Sequence, residues 1–484
     1  MKGSEIMRTL DIYENVKYLS IFNEIDVNIN KITIDTRKVC ENDCYIGIKG
    51  DKNDGNLFYM DAFNKGASLV ILENFIINDE IMDYIKNNNK SIIVVDDTKK
   101  ALGNLAKYKR SLFYSPVVAV TGSAGKTSTK DMIYSVLKEK YKTHKTVGNQ
   151  NNHIGLPLSI LSLENDNEML VLEMGMNHLG EISYLTNIAK PDIAVITNVG
   201  TAHIGNLGSR ENILKAKLEI LEGLNPKGAL VINNDNDLLH EWFLNNKDKY
   251  NIITIGINEK SDYMANIIEK NEWWSTFSCD DVIYKVPVGG EHFIYNALAS
   301  IAVGKYFKVS DEDIKAGILN FELSSNRMSV INNNGIIVID DSYNANFDSM
   351  SYAIKYLGSL NGRNIAVLGT MRELGDYTED LHKKIGNLIE KEKIDILVTV
   401  GEDSDYINEG AIEEGFNKDN SYHFNNNMDA INFINSIKKT DDNILVKASF
   451  DKEHSTSTNS ATLKIKETDK VGLSQVSEPI CKGK

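Results

Sequence analysis

Residues 117–130, VVAVTGSAGKTSTK, combine residue types that can hold a phosphate group. Residues 117–120 predict a buried strand, residues 121–125 predict a turn, and Lys126 and Thr127 open a run with helical periodicity. A strand that turns through glycines into a helix directs backbone N–H groups and the helix dipole at an anion. The Lys126 ammonium can then reach the β- and γ-phosphates of a nucleotide, and the Thr127 hydroxyl can bind Mg²⁺.

The two glycines of this segment are closer together than the pattern G-x-x-x-x-G-K-[ST] requires. An ordinary glycine-containing turn between a strand and a helix is therefore the alternative interpretation. The strand, the glycines, the Lys-Thr pair and the helix all agree with a phosphate loop, which we favour. The nucleotide-binding residues predicted in it are Gly122, Ser123, Ala124, Gly125, Lys126, Thr127 and Ser128.

Polar residues also follow other predicted strands, where a parallel sheet binds its ligands. Glu173 ends the strand MLVLEMG, one strand–helix unit after the phosphate loop, where a Mg²⁺ ligand belongs. Taken alone, it is more simply a solvated carboxylate at a strand end. His203 lies in the glycine-rich segment TNVGTAHIGNLGS, and a lone histidine is more often a structural or surface residue than a ligand.

Two basic residues, Lys217 and Arg327, are weak candidates for the active site when each is considered separately. Lys217 lies on a predicted helix, ENILKAKLEI, at the edge of an apolar face, from which a lysine usually extends its amine to solvent. Arg327, in SSNRMSV, is by itself a surface arginine. Together with the phosphate loop and the metal-ligand candidates Glu173 and His203, these cations form a set suited to phosphoryl transfer.

The elements that must position these residues alternate between strands and helices. Around the phosphate loop the predicted strands are VVAVTG, MLVLEMG, DIAVITNVG and GALVINND, with helices such as EISYLTNIAK between them. This rhythm predicts an α/β fold in which helices cover both faces of a parallel sheet. We expect domains at 1–112, 113–322 and 323–449, followed by a Ser/Thr/Lys-rich and poorly ordered tail at 450–484.

The composition narrows the possible classes of function. The chain has 484 residues and a formal charge of −15, which argues against a protein that coats nucleic acid. Its four cysteines are scattered, so reduced cytosolic thiols are expected rather than a disulfide framework. The first residues lack the apolar segment of a signal peptide, and no stretch has the apolar length of a membrane helix. We expect a cytoplasmic monomer that is not inserted in a membrane.

Eight motifs in order resemble the Mur ligases over about residues 30–449: TGSAGKT, NQNNHIGLPLS, LEMGMNHLGEI, TNVGTAHIG, AKLEI, GEHFIYNALA, NRM and DDSYNANFDSM. The resemblance implies a three-domain architecture, with a central P-loop parallel sheet and a Rossmann-like C-terminal domain. LEMGMNHLGEI and DDSYNAN resemble the branch that adds D-alanyl-D-alanine to UDP-N-acetylmuramoyl-tripeptide in peptidoglycan precursor synthesis. The Asp-Asn-Pro-Arg motif of the sister branch that adds diaminopimelate or lysine is absent.

This resemblance implies an acyl-phosphate mechanism with ATP and Mg²⁺, and it implies roles for single residues. Lys126 would neutralise the β- and γ-phosphates, and Thr127 and Glu173 would bind one Mg²⁺. His203 and a carbamylated Lys217 would support a second Mg²⁺. Further nucleotide contacts would come from Asn296 and His292 to adenine, Asp341 to ribose and Arg327 to the γ-phosphate.

The resemblance also implies where the two other substrates bind. Thr36 and Arg37 match a motif near the uridine end of the UDP-linked tripeptide. The substrate-facing residues of the asparagine-rich loop and of DDSYNAN would be Asn149, Asn151, Asn152, Tyr343, Asn344 and Asn346.

Three departures from the family keep alternatives open. Asn56 stands where the family has His, and Phe347 stands where it has Pro. The last strand continues as Lys-Ala-Ser-Phe instead of Lys-Gly-Ser-Arg, so Ala448 and Phe450 differ from the family pattern. One alternative is another amide ligase of the same fold, such as a folylpolyglutamate-type enzyme or another Mur ligase. The other is an ATP-binding protein that its altered C-terminus has inactivated.

Overall fold

The computed structural model describes residues 7–324 and 326–449. The tail predicted at 450–484, together with Phe450, lies outside these residues. Within them, no helix combines the length and the apolar character that crossing a bilayer requires. The α/β fold predicted from the sequence is confirmed, because helices alternate with three mainly parallel sheets.

The first sheet has the strand order β1-β5-β4-β3-β2, with β1 antiparallel at one edge. Its apolar strands are buried because helices cover them on both faces. β2 is only two residues long, since Asp35 accepts a hydrogen bond from the Arg37 N–H and turns the chain. The elements are α1 (Thr9–Asn15), β1 (Ser20–Phe22), β2 (Ile32–Thr33), β3 (Cys44–Ile46), α2 (Tyr59–Asn64), β4 (Leu69–Glu73), α3 (Asp79–Asn87), β5 (Ser91–Val95) and α4 (Thr98–Leu112).

The central sheet has the order β12-β11-β10-β9-β6-β8-β7, and all its neighbouring strands are parallel. The phosphate-loop strand β6 lies between β9 and β8, so the loops after these three strands meet at one edge. The elements up to β12 are β6 (Val117–Thr121), α5 (Lys126–Leu137), β7 (Thr143–Lys145), α6 (Gly155–Leu161), β8 (Met169–Glu173), α7 (Glu181–Ala189), β9 (Ile193–Ile196), α8 (Ile204–Leu207), α9 (Arg210–Leu218), β10 (Ala229–Asn233), α10 (Asp237–Asn246), β11 (Ile252–Gly256) and β12 (Tyr263–Met264).

A small antiparallel sheet follows, which the strand–helix rhythm did not predict. It consists of β13 (Asn266–Lys270), β14 (Ser275–Cys279) and β15 (Val282–Val286). Asp280 and Asp281 form the two-residue turn between β14 and β15 with φ of 48° and 61°. Positive φ at both positions is typical of a type I′ hairpin, but Asp-Asp is a weaker signal for it than Asn-Gly. Helices α11 (His292–Tyr306) and α12 (Asp311–Leu319) come next.

The third sheet has the order β16-β17-β21-β18-β19-β20, with only β16 antiparallel among the described strands. Its last strand in the sequence, β21, lies at the centre between β17 and β18. The elements are β16 (Ser329–Asn333), β17 (Ile336–Asp340), α13 (Phe347–Gly358), β18 (Arg363–Gly369), α14 (Thr378–Lys391), β19 (Ile396–Val400), α15 (Asp405–Glu413), β20 (Ser421–Phe424), α16 (Asn427–Ile437) and β21 (Asp442–Lys447).

The third sheet directs the loop after β17 at the phosphate loop of the central sheet. The Asn346 amide donates to the Ser123 carbonyl at 3.3 Å, and the Thr201 N–H donates to Oδ2 of Asp348 at 2.8 Å. The carboxyl ends of strands from two sheets therefore face each other across the phosphate loop.

Candidate active site

The phosphate loop connects β6 to α5 through two glycines with positive φ. At Gly122, φ is 155° and an added Cβ would lie 1.8 Å from Oγ1 of Thr197, so no larger residue fits there. Gly125 has φ of 78° and precedes the first residue of α5, Lys126. The first N–H groups of a helix have no partner within it, and here the residues that carry them line the cavity described below.

Asn198, from the loop after β9, holds the phosphate loop in place. Its Oδ1 accepts hydrogen bonds from the N–H groups of Ser123 and Ala124, at 3.0 and 2.9 Å. The Ser123 hydroxyl in turn accepts from the Gly200 N–H at 2.9 Å. These contacts fix the loop before any anion binds.

Lys126 folds back over the loop, and its Nζ donates to the Gly122 carbonyl at 2.7 Å. Burial lowers the pKa of Lys126; the carboxylate of Glu173 opposes this shift, and the nearby charge of Arg327 adds to it. An enclosed cation beside a second cation is stabilised by a bound polyanion, so this lysine suits a phosphate group.

Thr127, in the first turn of α5, and Glu173, the last residue of β8, meet beside the phosphate loop. Oγ1 of Thr127 donates to Oε2 of Glu173 at 2.8 Å, and the Asn151 amide donates to Oε1 of Glu173 at 2.7 Å. Glu173 is buried, so it is not the solvated strand-end carboxylate of the simpler interpretation. A hydroxyl and a carboxylate in contact at a phosphate loop match the donors that Mg²⁺ uses beside nucleotide phosphates.

Lys217 is buried in α9, with 1 % relative exposure, and does not extend to solvent as its place in the sequence suggested. Burial lowers the pKa of Lys217 well below its ordinary value; the charge of Lys126 lowers it further, and Asp348 opposes the shift. A lowered pKa favours the neutral, nucleophilic form of its amine.

His203 has φ of 64°, and its Nδ1 contacts the carboxylate of Glu373, which follows β18 of the third sheet. Among the described residues, no group of three His, Cys, Asp or Glu side chains is placed to bind a metal ion alone. A metal ion at this site would therefore need further oxygen ligands from water, from a bound phosphate or from a modified side chain.

His292 and Asn296 lie on the first turns of α11. The His292 ring stacks on Tyr352, with centroids 5.4 Å apart, and burial lowers the pKa of His292 to about 4, aided by Lys447. Oδ1 of Asn296 accepts from the Thr129 hydroxyl at 2.9 Å, and its buried Nδ2 has no hydrogen-bond partner among the described residues. A flat, uncharged ring beside an unpaired amide donor suits a heteroaromatic base.

Arg327 and Asp341 come from the start of the third sheet. The Arg327 guanidinium lies 4.0 Å from the centre of the Tyr343 ring. Oδ1 of Asp341 accepts from the Met328 N–H at 3.1 Å, and Oδ2 is paired with Nζ of Lys447. Burial raises the pKa of the Asp341 carboxyl, which the charge of Lys447 opposes.

Most of the predicted site residues line one cavity of about 350 Å³. Gly122, which precedes the lining residue Ser123, and Lys217 do not line it. The predicted residues in its wall are Ser123, Ala124, Gly125, Lys126, Thr127, Ser128, Asn149, Asn151, Asn152, Glu173, His203, His292, Asn296, Arg327, Asp341, Tyr343, Asn344 and Asn346.

Two larger cavities adjoin the protein's first and third sheets. Thr36 and Arg37 line one of about 1670 Å³ in the first domain, where Arg37 pairs with Asp35 at 2.9 Å. The other, of about 1100 Å³, extends from Lys126 and His203 along the carboxyl edge of the third sheet. The structure thus places Thr36 and Arg37 apart from the phosphate loop.

Sequence reasoning missed Lys447 and Tyr352. Lys447 is buried at the carboxyl end of β21, where it pairs with Asp341 and donates to the Asn344 carbonyl at 2.9 Å. The available signal was a lysine at the end of an apolar strand, which by itself does not indicate a partner. Tyr352 offered no signal, because an aromatic residue on a helix usually indicates core packing.

Three family models match consecutive parts of the chain. The Mur ligase family catalytic domain matches residues 28–110, the Mur ligase middle domain matches 120–304, and the Mur ligase glutamate ligase domain matches 326–450. The UDP-N-acetylmuramoyl-tripeptide–D-alanyl-D-alanine ligase of Bacillus subtilis (strain 168) is 39% identical over 426 residues, covering 87% of this chain and 90% of that protein.

Solved structures agree with these matches. A crystal structure of MurF from Acinetobacter baumannii gives a TM-score of 0.81 at 30% identity and covers 91% of this chain and 94% of that one. MurF ligase from Thermotoga maritima, in complex with ADP, gives a TM-score of 0.76 at 27% identity and covers 90% of this chain and 96% of that one.

Proposed function

Since this chain belongs to the Mur ligase family, we propose that it joins D-alanyl-D-alanine to UDP-N-acetylmuramoyl-tripeptide in peptidoglycan precursor synthesis, with ATP as the second substrate. The observation that carries this proposal is one cavity lined by a phosphate loop, an asparagine-rich loop and a loop of the third sheet. Three substrates must meet in this reaction, and these three loops come from different sides of the cavity.

In the first step, the terminal carboxylate of the tripeptide attacks the γ-phosphorus of ATP. An O–P bond forms as the bond between the γ-phosphorus and the β–γ bridging oxygen breaks, which gives an acyl phosphate and ADP. Lys126 and the first N–H groups of α5 hold the phosphates, and Arg327 supplies a second cation for the charge that develops on the transferred group.

In the second step, the free amine of D-alanyl-D-alanine attacks the acyl carbon. The tetrahedral intermediate collapses with loss of inorganic phosphate, which takes the former carboxylate oxygen with it, and the amine loses a proton. The cavity of about 1100 Å³ between Lys126, His203 and the third sheet opens onto the phosphate loop, and we assign the amine substrate to it.

Mg²⁺ would be held by Thr127 and Glu173, and a second ion by His203 and a carbamylated Lys217. When bound, Mg²⁺ neutralises phosphate charge and polarises the transferred phosphoryl group. The contact between Thr127 and Glu173 supports the first site. Burial of Lys217 and the lowering of its pKa support the second, because a neutral amine is the form that reacts with carbon dioxide.

The remaining residues are assigned to parts of the substrates. His292 and Asn296 contact adenine and Asp341 contacts ribose, which fits the unpaired amide of Asn296. Thr36 and Arg37 lie at the uridine end of the UDP-linked tripeptide. The tripeptide itself would run past six polar side chains, Asn149, Asn151, Asn152, Tyr343, Asn344 and Asn346.

We assign UDP-substrate binding to residues 1–112, ATP binding to 113–322 and the ligase role of the third sheet to 323–449. Because the reaction consumes ATP, we place it in the cytoplasm, and since one chain supplies every loop of the cavity, we expect a monomer to be active.

The described part of the altered C-terminus is accommodated by the fold. The methyl group of Ala448 lies against Gly369, which has no side chain. A Cβ at position 369 would lie only 2.6 Å from the Cβ of Ala448, so glycine at 369 leaves the space that Ala448 occupies. The Ser449 hydroxyl donates to the Ala345 carbonyl at 2.8 Å and accepts from the Arg372 N–H at 3.3 Å. These contacts favour an active ligase over the alternative of an inactivated ATP-binding protein.

Mass spectrometry of the product tests the proposed function. Protein incubated with ATP, Mg²⁺, UDP-linked tripeptide and D-alanyl-D-alanine should convert the tripeptide to the pentapeptide, and omission of any substrate should abolish the product. A panel with L-alanine, D-glutamate, lysine and a folate substrate separates the other amide ligases. Product with one of these but not with D-alanyl-D-alanine would replace the proposed substrate.

A further inference from the structure

Lys130 is a buried cation that the proposed mechanism does not use. It lies one helical turn after Lys126 on α5, and its side chain is 1 % exposed. Its Nζ donates to the carbonyl oxygens of Thr146 and Gly148, at 2.9 and 3.5 Å. It also lies 3.2 Å from Oδ1 of Asp131 and 3.9 Å from Oε2 of Glu173. An ammonium group has three N–H donors, so the three nearest acceptors match its full capacity.

The two carbonyl acceptors begin the asparagine-rich loop, residues 146–152, which follows β7. The other end of this loop is fastened to β8, because the Gly175 N–H donates to the Asn151 carbonyl at 2.8 Å and the Asn151 amide donates to Glu173 at 2.7 Å. The Thr146 hydroxyl accepts from the Glu173 N–H at 3.0 Å. Lys130 thus ties one end of the loop to the phosphate-loop helix.

We propose that Lys130 is a positioning residue that holds the asparagine-rich loop in the orientation that binds the tripeptide. The role rests on the proposed function, since it concerns the substrate that Asn149 and Asn151 face. Burial of the Lys130 ammonium costs free energy, because the charge loses its water shell. Helix stability alone does not account for this cost, whereas a role in holding the two loop carbonyls does. Lys130 acts through the loop and contacts no reacting atom.

A simpler interpretation is that Lys130 only neutralises the buried carboxylates of Asp131 and Glu173. Asp131 is buried, and Oδ1 also lies 2.6 Å from Nζ of Lys145, while Oδ2 accepts from the Ser324 hydroxyl at 2.6 Å. Burial raises the pKa of the Asp131 carboxyl, but Lys130, Lys145 and Ser324 together lower it below the ordinary value. Lys145 therefore shares the countercharge with Lys130 but not the contacts with the loop carbonyls.

The comparison of Lys130→Met with Lys145→Met separates these two roles, because both remove one positive charge beside Asp131. We expect Lys130→Met to raise the KM for UDP-linked tripeptide by about tenfold or more, with the Kd for ATP changed by less than about threefold. Lys145→Met should leave that KM within about threefold of the unmutated protein. Equal KM changes in the two variants, or an unchanged KM in Lys130→Met, would overturn the positioning role.

Hydrogen exchange gives a readout that does not depend on activity. The amides of residues 146–152 and of Gly175 should exchange faster in Lys130→Met than in the unmutated protein, and Lys145→Met should not show this change. Unchanged exchange in Lys130→Met would contradict the inference even if the enzyme is active. Absence of product from the unmutated protein would instead contradict the proposed function and leave the exchange result valid.

If Lys130→Met does not fold, the double variant Lys130→Met/Asp131→Asn takes its place, since it removes the uncompensated carboxylate. The same rise in KM and the same faster exchange are expected. A folded double variant with normal KM and normal exchange would show that Lys130 only balances the charge of buried carboxylates.

Discussion

Oγ1 of Thr127 donates a hydrogen bond of 2.8 Å to Oε2 of Glu173. Thr127 lies at the start of α5, after β6, and Glu173 is the last residue of β8. These two strands are neighbours in the central sheet, although 46 positions separate the two residues in the sequence. This contact places a hydroxyl and a carboxylate together at the N-terminus of α5, and the proposed metal and nucleotide chemistry depends on it.

Replacement of Lys126 by alanine should reduce ligase activity by about 10²-fold or more, because it removes a charge-assisted contact that strengthens in the transition state. Phosphate release and the unfolding temperature measure activity and folding. Lys138→Ala, exposed at the other end of α5, is the matched control and should remain active. A folded Lys126→Ala protein with full turnover would contradict the assignment.

Replacement of Glu173 by glutamine keeps the shape of the side chain and removes its charge. The Mg²⁺ concentration needed for the half-maximal rate should rise, because a neutral amide is a weaker ligand for a hard cation. A Mg²⁺ titration of the rate checks this expectation. An identical titration in the variant and the unmutated protein would show that Glu173 has only a structural role.

Replacement of Lys217 by alanine should nearly abolish activity if a carbamate on this lysine supports a metal ion. A short-chain carboxylate added to the assay should restore part of the rate, whereas small amines should restore it if the lysine acts as an ammonium. Lys215→Ala, exposed on the same helix, is the control. Carbon-13 NMR after incubation with labelled bicarbonate should show a carbamate signal that Lys217→Ala lacks, and its absence from the unmutated protein would reject the modification.

Acid should destabilise the protein partly through His292, because burial lowers its pKa from the ordinary value of 6.5 to about 4. Between these values the unfolded state binds the proton and the folded state does not, so stability falls as pH decreases from about 6.5 to about 4 and levels off below. The unfolding temperature of His292→Gln should fall less over this window. Parallel pH profiles for the two proteins would show that the ring is not held neutral.

Local sequence patterns were sufficient to predict the parts of the site that are built from consecutive residues. The apolar run of β6, the glycines and the Lys-Thr pair predicted the phosphate loop, because strand, turn and helix follow each other directly in the sequence. The order of apolar strands likewise predicted parallel sheets. The hairpin of β14 and β15 was missed, since its Asp-Asp turn and partly polar strands carry weak signals.

Contacts between distant segments could not be predicted in this way. The burial of Lys217 depends on how α9 packs, the contact of His203 with Glu373 joins two sheets, and Lys447 reaches Asp341 only because β21 inserts beside β17. Sequence patterns indicate which residues lie at the ends of strands. They do not indicate the order of the strands in the sheet, and so they do not show which strand ends meet.

The fate of one oxygen atom tests the central claim, that ligation proceeds through phosphorylation of the tripeptide carboxylate. UDP-linked tripeptide labelled with oxygen-18 in its terminal carboxylate is incubated with ATP, Mg²⁺ and D-alanyl-D-alanine, and the inorganic phosphate is analysed by mass spectrometry. The account predicts one labelled oxygen in each phosphate released, because the acyl phosphate breaks at its acyl carbon. Unlabelled phosphate accompanying the ligated product would contradict the account.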